Sequence, residues 1–395
     1  MAKVLFHIDL NAFFASAEEL RHPELKNKPL AIGSNSARGV LSTCNYAARE
    51  YGVHSAMPSY QAKQLCPDLV ILDADHKYYR SLSNQFFAYL KQYTGKIEVL
   101  SIDECFMDVT MIISKYPRPL DLAVQIQQGV LHKLGLKCSI GVAPTRFLAK
   151  MASDLRKPMG ISVIRKRDIE SKLYPLDVGA CFGVGKKTVG KLKEVGINTI
   201  GDLANPEHED LAQSVLKNAW PEIQERIMGR SSDELIYSST RKSVSHSKTY
   251  STDVYTIDEV IVRASELVKE LSAAMQKQQI KGSVFSMIFR DSQFNNQVRS
   301  TKLPCMTNDY YILNEAARSL IYRYFEPVGY RHLGISVGSL ANEEKIVDQP
   351  TLFDDFKSTT KDVIANLNTQ IEGAKLMTLS QMLKEKENQK NEKGE

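Results

Sequence analysis

Val4-Leu5-Phe6-His7-Ile8-Asp9 and Leu100-Ser101-Ile102-Asp103-Glu104-Cys105-Phe106 are the two stretches on which the fold turns. The first is an apolar run stopped by an acid, and the second is an apolar run interrupted by two adjacent acids. Each reads as a buried strand that delivers carboxylate to its end. Neighbouring strands would bring Asp9, Asp103 and Glu104 within a few Å of one another. At about 4 Å each bare pair costs about 4 kcal/mol at an effective dielectric of about 20. Such a cluster calls for divalent cations, and an all-oxygen donor set suits magnesium. Metal-assisted phosphoryl chemistry is the expectation.

Working outward from these strands, residues 11–20 run into a helix with apolar and small residues on one face. Short strands are expected at 30–32 and 39–43 around the Gly33-Ser34-Asn35-Ser36 turn. Helices follow at 46–51, 59–65 and 78–93. Residues 97–110 read as a hairpin with Asp103 and Glu104 at its bend. A helix at 122–134, a strand at 139–143, a helix at 146–153 and a strand at 161–164 complete the first half. Strands mixed with helices in this way predict an α+β domain, a mixed or antiparallel sheet covered by helices on one face. After residue 165 the texture changes to short helices broken by glycine. Residues 241–340 alternate strand-like runs, such as 283–289, with helices such as 257–276.

The bulk numbers fit this layout. A chain of 395 residues, 43% hydrophobic and 25% charged, is expected to form roughly two to four domains. It has no apolar run long enough to span a membrane and no signal-peptide core at its start. Six cysteines without a CxxC pair read as reduced, mostly buried residues of a cytoplasmic protein. The net charge is only +5, but residues 165–193 hold eight Lys or Arg against three acids. Basic character in the body permits a polyanionic partner.

The motifs then fall into a recognisable series. His7-Ile8-Asp9-Leu10-Asn11-Ala12-Phe13-Phe14-Ala15-Ser16-Ala17-Glu18 and residues 100–110 resemble the two metal-binding motifs of Y-family translesion DNA polymerases, nearest to the bacterial DNA polymerase IV branch. Ser42-Thr43-Cys44-Asn45-Tyr46-Ala47-Ala48-Arg49 resembles the fingers motif of that family. Ser139-Ile140-Gly141-Val142-Ala143-Pro144-Thr145-Arg146-Phe147-Leu148-Ala149-Lys150 and Lys157-Pro158-Met159-Gly160 complete the set, in order, across residues 1–345. The resemblance implies a palm at 1–11 and 75–164, fingers at 12–74, and a helix-hairpin-helix thumb at 165–240. It further implies a DNA-gripping α/β little finger at 241–345, followed by a tail at 346–395.

By position, the resemblance makes Asp9, Asp103 and Glu104 the catalytic metal ligands, with the Leu10 carbonyl as a further donor to two Mg²⁺ ions. Phe13, Phe14, Thr43, Tyr46, Arg49 and Lys157 would bind the incoming nucleotide, cations and hydroxyls matching its phosphates. Phe14 would be the steric gate against ribose, although spacing alone favours a core residue of an amphipathic helix. Asn11 departs from the acid that many relatives carry and is taken as non-catalytic. The Gly183-Val184-Gly185-Lys186-Lys187 turn would present backbone N–H groups and positive charge to DNA phosphates. Arg241, Lys242, Lys248, Lys281, Arg290, Arg299 and Lys302 are further phosphate candidates. Gln349-Pro350-Thr351-Leu352-Phe353 resembles a sliding-clamp peptide, with Gln349, Leu352 and Phe353 as the contacts and Pro350 as a departure from commoner versions.

The activity implied is template-directed, error-prone translesion synthesis from deoxynucleoside triphosphates on primer–template DNA, by a monomer tethered to the clamp. The short fingers, rich in small residues, imply a permissive pocket. Residues 1–345 leave no segment for a proofreading exonuclease. A nucleotide cyclase shares paired carboxylates but has no need of the glycine–lysine turn. A catalytically idle DNA-binding protein has no need of the three acids.

Overall fold

The structure, a computed structural model, describes residues 3–345 except 233, 238 and 239. The first half contains β1 (Leu5–Leu10), α1 (Phe13–Arg21), β2 (Leu30–Gly33), β3 (Leu41–Cys44), α2 (Tyr46–Arg49), α3 (Ser59–Leu65) and β4 (Val70–Leu72). It continues with α4 (His76–Lys91), β5 (Ile97–Val99), β6 (Glu104–Asp108), α5 (Pro119–Leu134), β7 (Cys138–Ala143), α6 (Arg146–Asp154) and β8 (Ile161–Val163). The main sheet has the order β5-β6-β1-β7-β8, antiparallel except for the parallel β7–β8 pair. A central β1 explains why the N-terminal run is almost wholly apolar: both of its neighbours and both of its faces are covered.

Alternation along β1 divides the interior. Phe6, Ile8 and Leu10 join Cys105, Met107, Ile140 and Val142 in a core with Leu82 and Phe86 of α4 and Leu122 and Ile126 of α5. Leu5 and Phe106 face the other way, into a core with Phe147, Leu148 and Met151 of α6. Helices therefore cover both faces, which corrects the one-sided layer expected from the sequence. The reason is Gly141. A Cβ there would stand 2.0 Å from the Ala149 carbonyl oxygen and 2.4 Å from the Ser153 nitrogen. The missing side chain lets α6 lie directly on the sheet.

β2, β3 and β4 make a small sheet in the order β3-β2-β4. The parallel β4, absent from the sequence reading, pairs with β2. Leu41, Ala48, Val53, Met57, Ala62 and Leu69 form a separate small core beneath it, while Phe13 and Ala17 of α1 belong to the core of the main sheet.

Five helices follow: α7 (Ile169–Lys172), α8 (Lys186–Glu194), α9 (Ile200–Ala204), α10 (Glu209–Leu216) and α11 (Trp220–Ile227). Leu192, Ile200, Leu203, Trp220 and Ile223 continue the α6 core outward. The last body comprises β9 (Ser243–Val254), α12 (Ile257–Lys277), β10 (Ile280–Asp291), β11 (Asn296–Thr307), α13 (Tyr310–Tyr324), β12 (Tyr330–Gly338) and β13 (Ala341–Asn342). Its sheet runs β11-β10-β12-β9, and α12 and α13 cover one face through Phe285, Met287, Phe289, Leu333 and Ile335. Arg38, in the β2–β3 loop, ties this body to the small sheet: it pairs with Asp253 at 2.8 Å and donates to the Tyr250 carbonyl at 2.9 Å. Among the described residues no helix is long and apolar enough to cross a membrane.

Candidate active site

Register brings the acids together. Asp9 lies directly opposite Glu104 on β1 and β6, so both side chains share the α6 face. The Leu10 N–H donates to the Asp103 carbonyl at 3.0 Å, and the Leu100 N–H donates to the Glu104 carbonyl at 3.0 Å, closing the turn that carries Asp103. Asp103 accepts a hydrogen bond from the Ser101 hydroxyl. Burial, together with the like charges of Asp9 and Glu104, raises the Asp103 carboxyl above its usual range despite that bond. Burial also opposes ionisation of Glu104, but His7 and Lys150 beside it hold its carboxyl down, at about 2.

Two lysines reach into this cluster. Lys150 of α6 places Nζ 2.5 Å from Glu104 Oε2 and 3.3 Å from Asp9 Oδ2. Lys157, in the turn after α6, lies 3.0 Å from Asp9 Oδ1 and 2.7 Å from Asp154 Oδ1. Burial works against both ammonium charges, yet the carboxylates raise both pKa values. His7 is fully buried, with Nδ1 2.8 Å from Ser153 Oγ and Nε2 3.2 Å from Glu104 Oε2. Burial depresses its pKa.

Asn11 has a different task from its acidic counterparts. Its amide donates to Ser139 Oγ at 3.0 Å, and its carbonyl oxygen accepts the Met159 N–H at 2.8 Å. It therefore anchors the 157–159 turn to β1 and aims Lys157 at Asp9. An acid could not donate to Ser139 in its ionised form.

Of the expected nucleotide residues, Lys157 touches the cluster directly and Tyr46 lies near enough for Asp9 and Lys157 to act on it. Tyr46 and Arg49 share α2, the guanidinium lying 4.6 Å from the centre of the Tyr46 ring. Asn45 caps this helix, accepting the Ala48 N–H at 3.0 Å and the Leu30 N–H at 3.1 Å while donating to Glu19 at 2.8 Å. The Tyr46 hydroxyl is buried without a hydrogen-bond partner, and burial raises its pKa, with Lys157 and Asp9 close enough to act on it. A buried, unpaired hydroxyl beside a lysine fits an anionic ligand. Thr43 is half-buried on β3. Phe14 follows a left-handed Ala12 and stacks on Tyr79, with ring centres 4.4 Å apart and planes 15° apart. Tyr79 in turn donates to the buried Glu18 carboxylate at 2.8 Å. Phe13 is 3% exposed and its ring belongs to the core.

As placed, no three His, Cys, Asp or Glu side chains among the described residues converge tightly enough to hold an ion. The Lys150 ammonium bridges Asp9 and Glu104 where a cation would be shared. A positive group already bound between these oxygens, and an all-oxygen donor set, fit a divalent metal.

The expected DNA contacts divide. Gly183, Gly185, Lys186 and Lys187 form one exposed turn opening α8, with Gly183 at φ +99°, a conformation that requires glycine. Arg241 and Lys242 are exposed at the entry to β9. Arg290 and Lys302 lie on the uncovered face of the last sheet, paired with Asn296 and Val284. Arg299 does not: it is paired with Met287 on the helix-covered face and lies 4.9 Å from the centre of the Tyr324 ring. Lys248, paired with Leu333, also points to the covered side, and Lys281 pairs with Glu343 at 3.0 Å. The clamp peptide, including Gln349, Leu352 and Phe353, lies outside the described residues.

The sequence reading passed over Lys150, Asp154 and His7 as individuals. Lys150, Asp154 and Lys157 fall at i, i+4 and i+7, one helical face, which was the available signal.

Known proteins resemble this chain along most of its length. The impB/mucB/samB family matches residues 8–154, and the C-terminal domain of the same family matches residues 241–352. DNA polymerase IV of Ureaplasma parvum is 35% identical over 89% of this chain and 98% of that protein. DNA polymerase IV 1 of Bacillus subtilis is 36% identical over 98% of this chain and 94% of its own. A solved Y-family DNA polymerase chimera superposes with a TM-score of 0.75 at 26% identity, covering 85% of this chain and 98% of the other.

Proposed function

This chain belongs to the impB/mucB/samB family, the Y-family DNA polymerases, and on that premise we propose how its residues divide the work of template-directed, error-prone translesion synthesis. Its substrates are DNA and deoxynucleoside triphosphates, and it depends on a divalent metal. We read the main sheet as the palm, residues 12–74 as fingers, 165–240 as thumb and 241–345 as little finger, a division supported by the separate small core under β2–β4 and the closed core of the last body.

The primer 3′-hydroxyl attacks the α-phosphate of the incoming nucleotide, and pyrophosphate leaves. Two Mg²⁺ ions held by Asp9, Asp103, Glu104 and the Leu10 carbonyl would activate that hydroxyl and stabilise the leaving group. Lys157 and Arg49 neutralise the triphosphate, and the unpaired Tyr46 hydroxyl donates to one of its oxygens. Asn11 holds the lysine turn in place for that contact. Phe14, backed by Tyr79, excludes a 2′-hydroxyl. The uncovered face of the little-finger sheet suits a phosphate backbone. Ser245, Ser336, Ser286 and Ser300 cross it as one row of small side chains, so DNA can approach the strands closely, with Arg290 and Lys302 on the same face. Binding of this kind grips without reading sequence, which suits damaged templates. There is no proofreading step. We read the enzyme as a cytoplasmic monomer tethered to the sliding clamp through residues 349–353.

The observation that carries this assignment is the register that sets Asp9 opposite Glu104, with Asp103 bonded to the next residue of β1. Primer extension on intact and lesion-bearing templates tests it. Asp103→Ala should reduce nucleotide addition to background while leaving DNA affinity within about twofold, because phosphate contacts lie elsewhere. Full activity in that variant would remove the assignment.

A further inference from the structure

Lys150, in contact with two of the acids, is a charged group to which the reaction above gives no task. Its side chain is 12% exposed and its ammonium bridges Glu104 Oε2 at 2.5 Å and Asp9 Oδ2 at 3.3 Å. The Ser153 hydroxyl donates to the Lys150 carbonyl at 2.7 Å and lies 2.8 Å from His7 Nδ1, which fixes this turn of α6 against β1. A divalent cation sharing these oxygens competes with the ammonium for their lone pairs, and the two positive charges oppose each other.

A place for it exists one turn along. Asp154 is four residues on, close enough to act on the Lys150 charge, and is now paired with Lys157 at 2.7 Å. Lys157 is the residue assigned to the triphosphate, and its departure toward nucleotide would free Asp154. We propose that Lys150 is a positioning residue that serves as the site's internal cation, holding Asp9 and Glu104 together when no metal is bound and transferring to Asp154 when a divalent cation enters. Cation affinity is then set by exchange against this ammonium, and nucleotide and metal binding are coupled through Asp154. The inference rests on the reading of Asp9 and Glu104 as metal ligands.

The test is Mn²⁺ binding to the full chain without DNA, followed by the resonance of the free ion, alongside thermal melts with and without Mg²⁺. Lys150→Met keeps length and removes charge. It should bind Mn²⁺ about tenfold more tightly, the low end of what close buried charge pairs are worth. Its metal-free melt should fall, and its gain on adding Mg²⁺ should exceed that of the wild type. Lys150→Arg should restore the metal-free melt and the weaker affinity. Asp154→Asn, which removes the acceptor, should weaken Mn²⁺ binding. A merely structural lysine predicts the reverse for Lys150→Met, since a loosened site binds metal less well. Equal or weaker Mn²⁺ binding by Lys150→Met overturns the proposal. Should that variant not fold, unchanged affinity in Asp154→Asn overturns it and weaker affinity supports it. The underlying site reading is judged separately by Glu104→Gln: if Mn²⁺ binding survives that change intact, the carboxylates are not the ligands and the exchange falls with them.

Discussion

Replacing Phe14 by alanine asks whether a ring at the entrance to α1 chooses the sugar. The ring has little room to yield. It lies flat on Tyr79 at 4.4 Å, meets His76 edge-on at 5.8 Å and touches Phe13 at 5.5 Å. Tyr79 is itself 0% exposed and bonded to buried Glu18, and burial raises its phenol pKa, so it stays a neutral donor. A ribose hydroxyl pressing on Phe14 therefore presses on a packed stack. Forcing extra volume into such packing costs about 1–3 kcal/mol. Removing the ring should relax discrimination against ribonucleotides by roughly 10- to 100-fold. The stack itself is worth about 0.5–1.5 kcal/mol. With the lost apolar contact, the variant should be about 2–3 kcal/mol less stable and still folded at 25 °C. The assay is single-nucleotide insertion, comparing kcat/KM for a deoxynucleotide and its ribonucleotide. The ratio should move mainly through a gain for the ribonucleotide, with Phe14→Leu intermediate. A folded Phe14→Ala enzyme whose ratio matches the wild type would refute the gate and leave Phe14 as a packing residue.

Two structural expectations accompany it. Gly141→Ala should cost about 3 kcal/mol or more, because its Cβ would sit 2.0 Å from a backbone oxygen of α6 and the helix must retreat. A thermal melt lowered by less than a couple of degrees would contradict the close approach described. Arg146→Met should destabilise by about 3–5 kcal/mol in urea titration, since among the described residues buried Glu98 then keeps only the Ile236 N–H as donor, at 3.0 Å. Adding Glu98→Gln should recover most of that loss, and failure to recover would show that the pair does not act as a unit.

Local sequence determined what neighbours in the chain can decide. The apolar runs around Asp9 and Asp103 read as strands, and the helices at 59–65, 146–153 and 257–276 emerged within a residue or two of their bounds, because periods of 2 and 3.6 are written in adjacent side chains. The motif series also named the carboxylates that meet at the β1–β6 end and the residues proposed to face phosphate. Tertiary structure alone decided register, faces and partners. Only pairing with β6 sets Asp9 opposite Glu104, and only the bare backbone of Gly141 brings α6 down to put Lys150 between them. Arg299 looked equivalent to Arg290 in the sequence, but it stands an odd number of positions along β11 from Asn296, the partner of Arg290, and so turns to the opposite face. Asn11 looked like a lost acid until its bond to Met159 showed it holding Lys157 in place. Such contacts join residues 148 positions apart at Asn11 and Met159 and 212 apart at Arg38 and Tyr250, and no local pattern records which segments a folded chain will bring together.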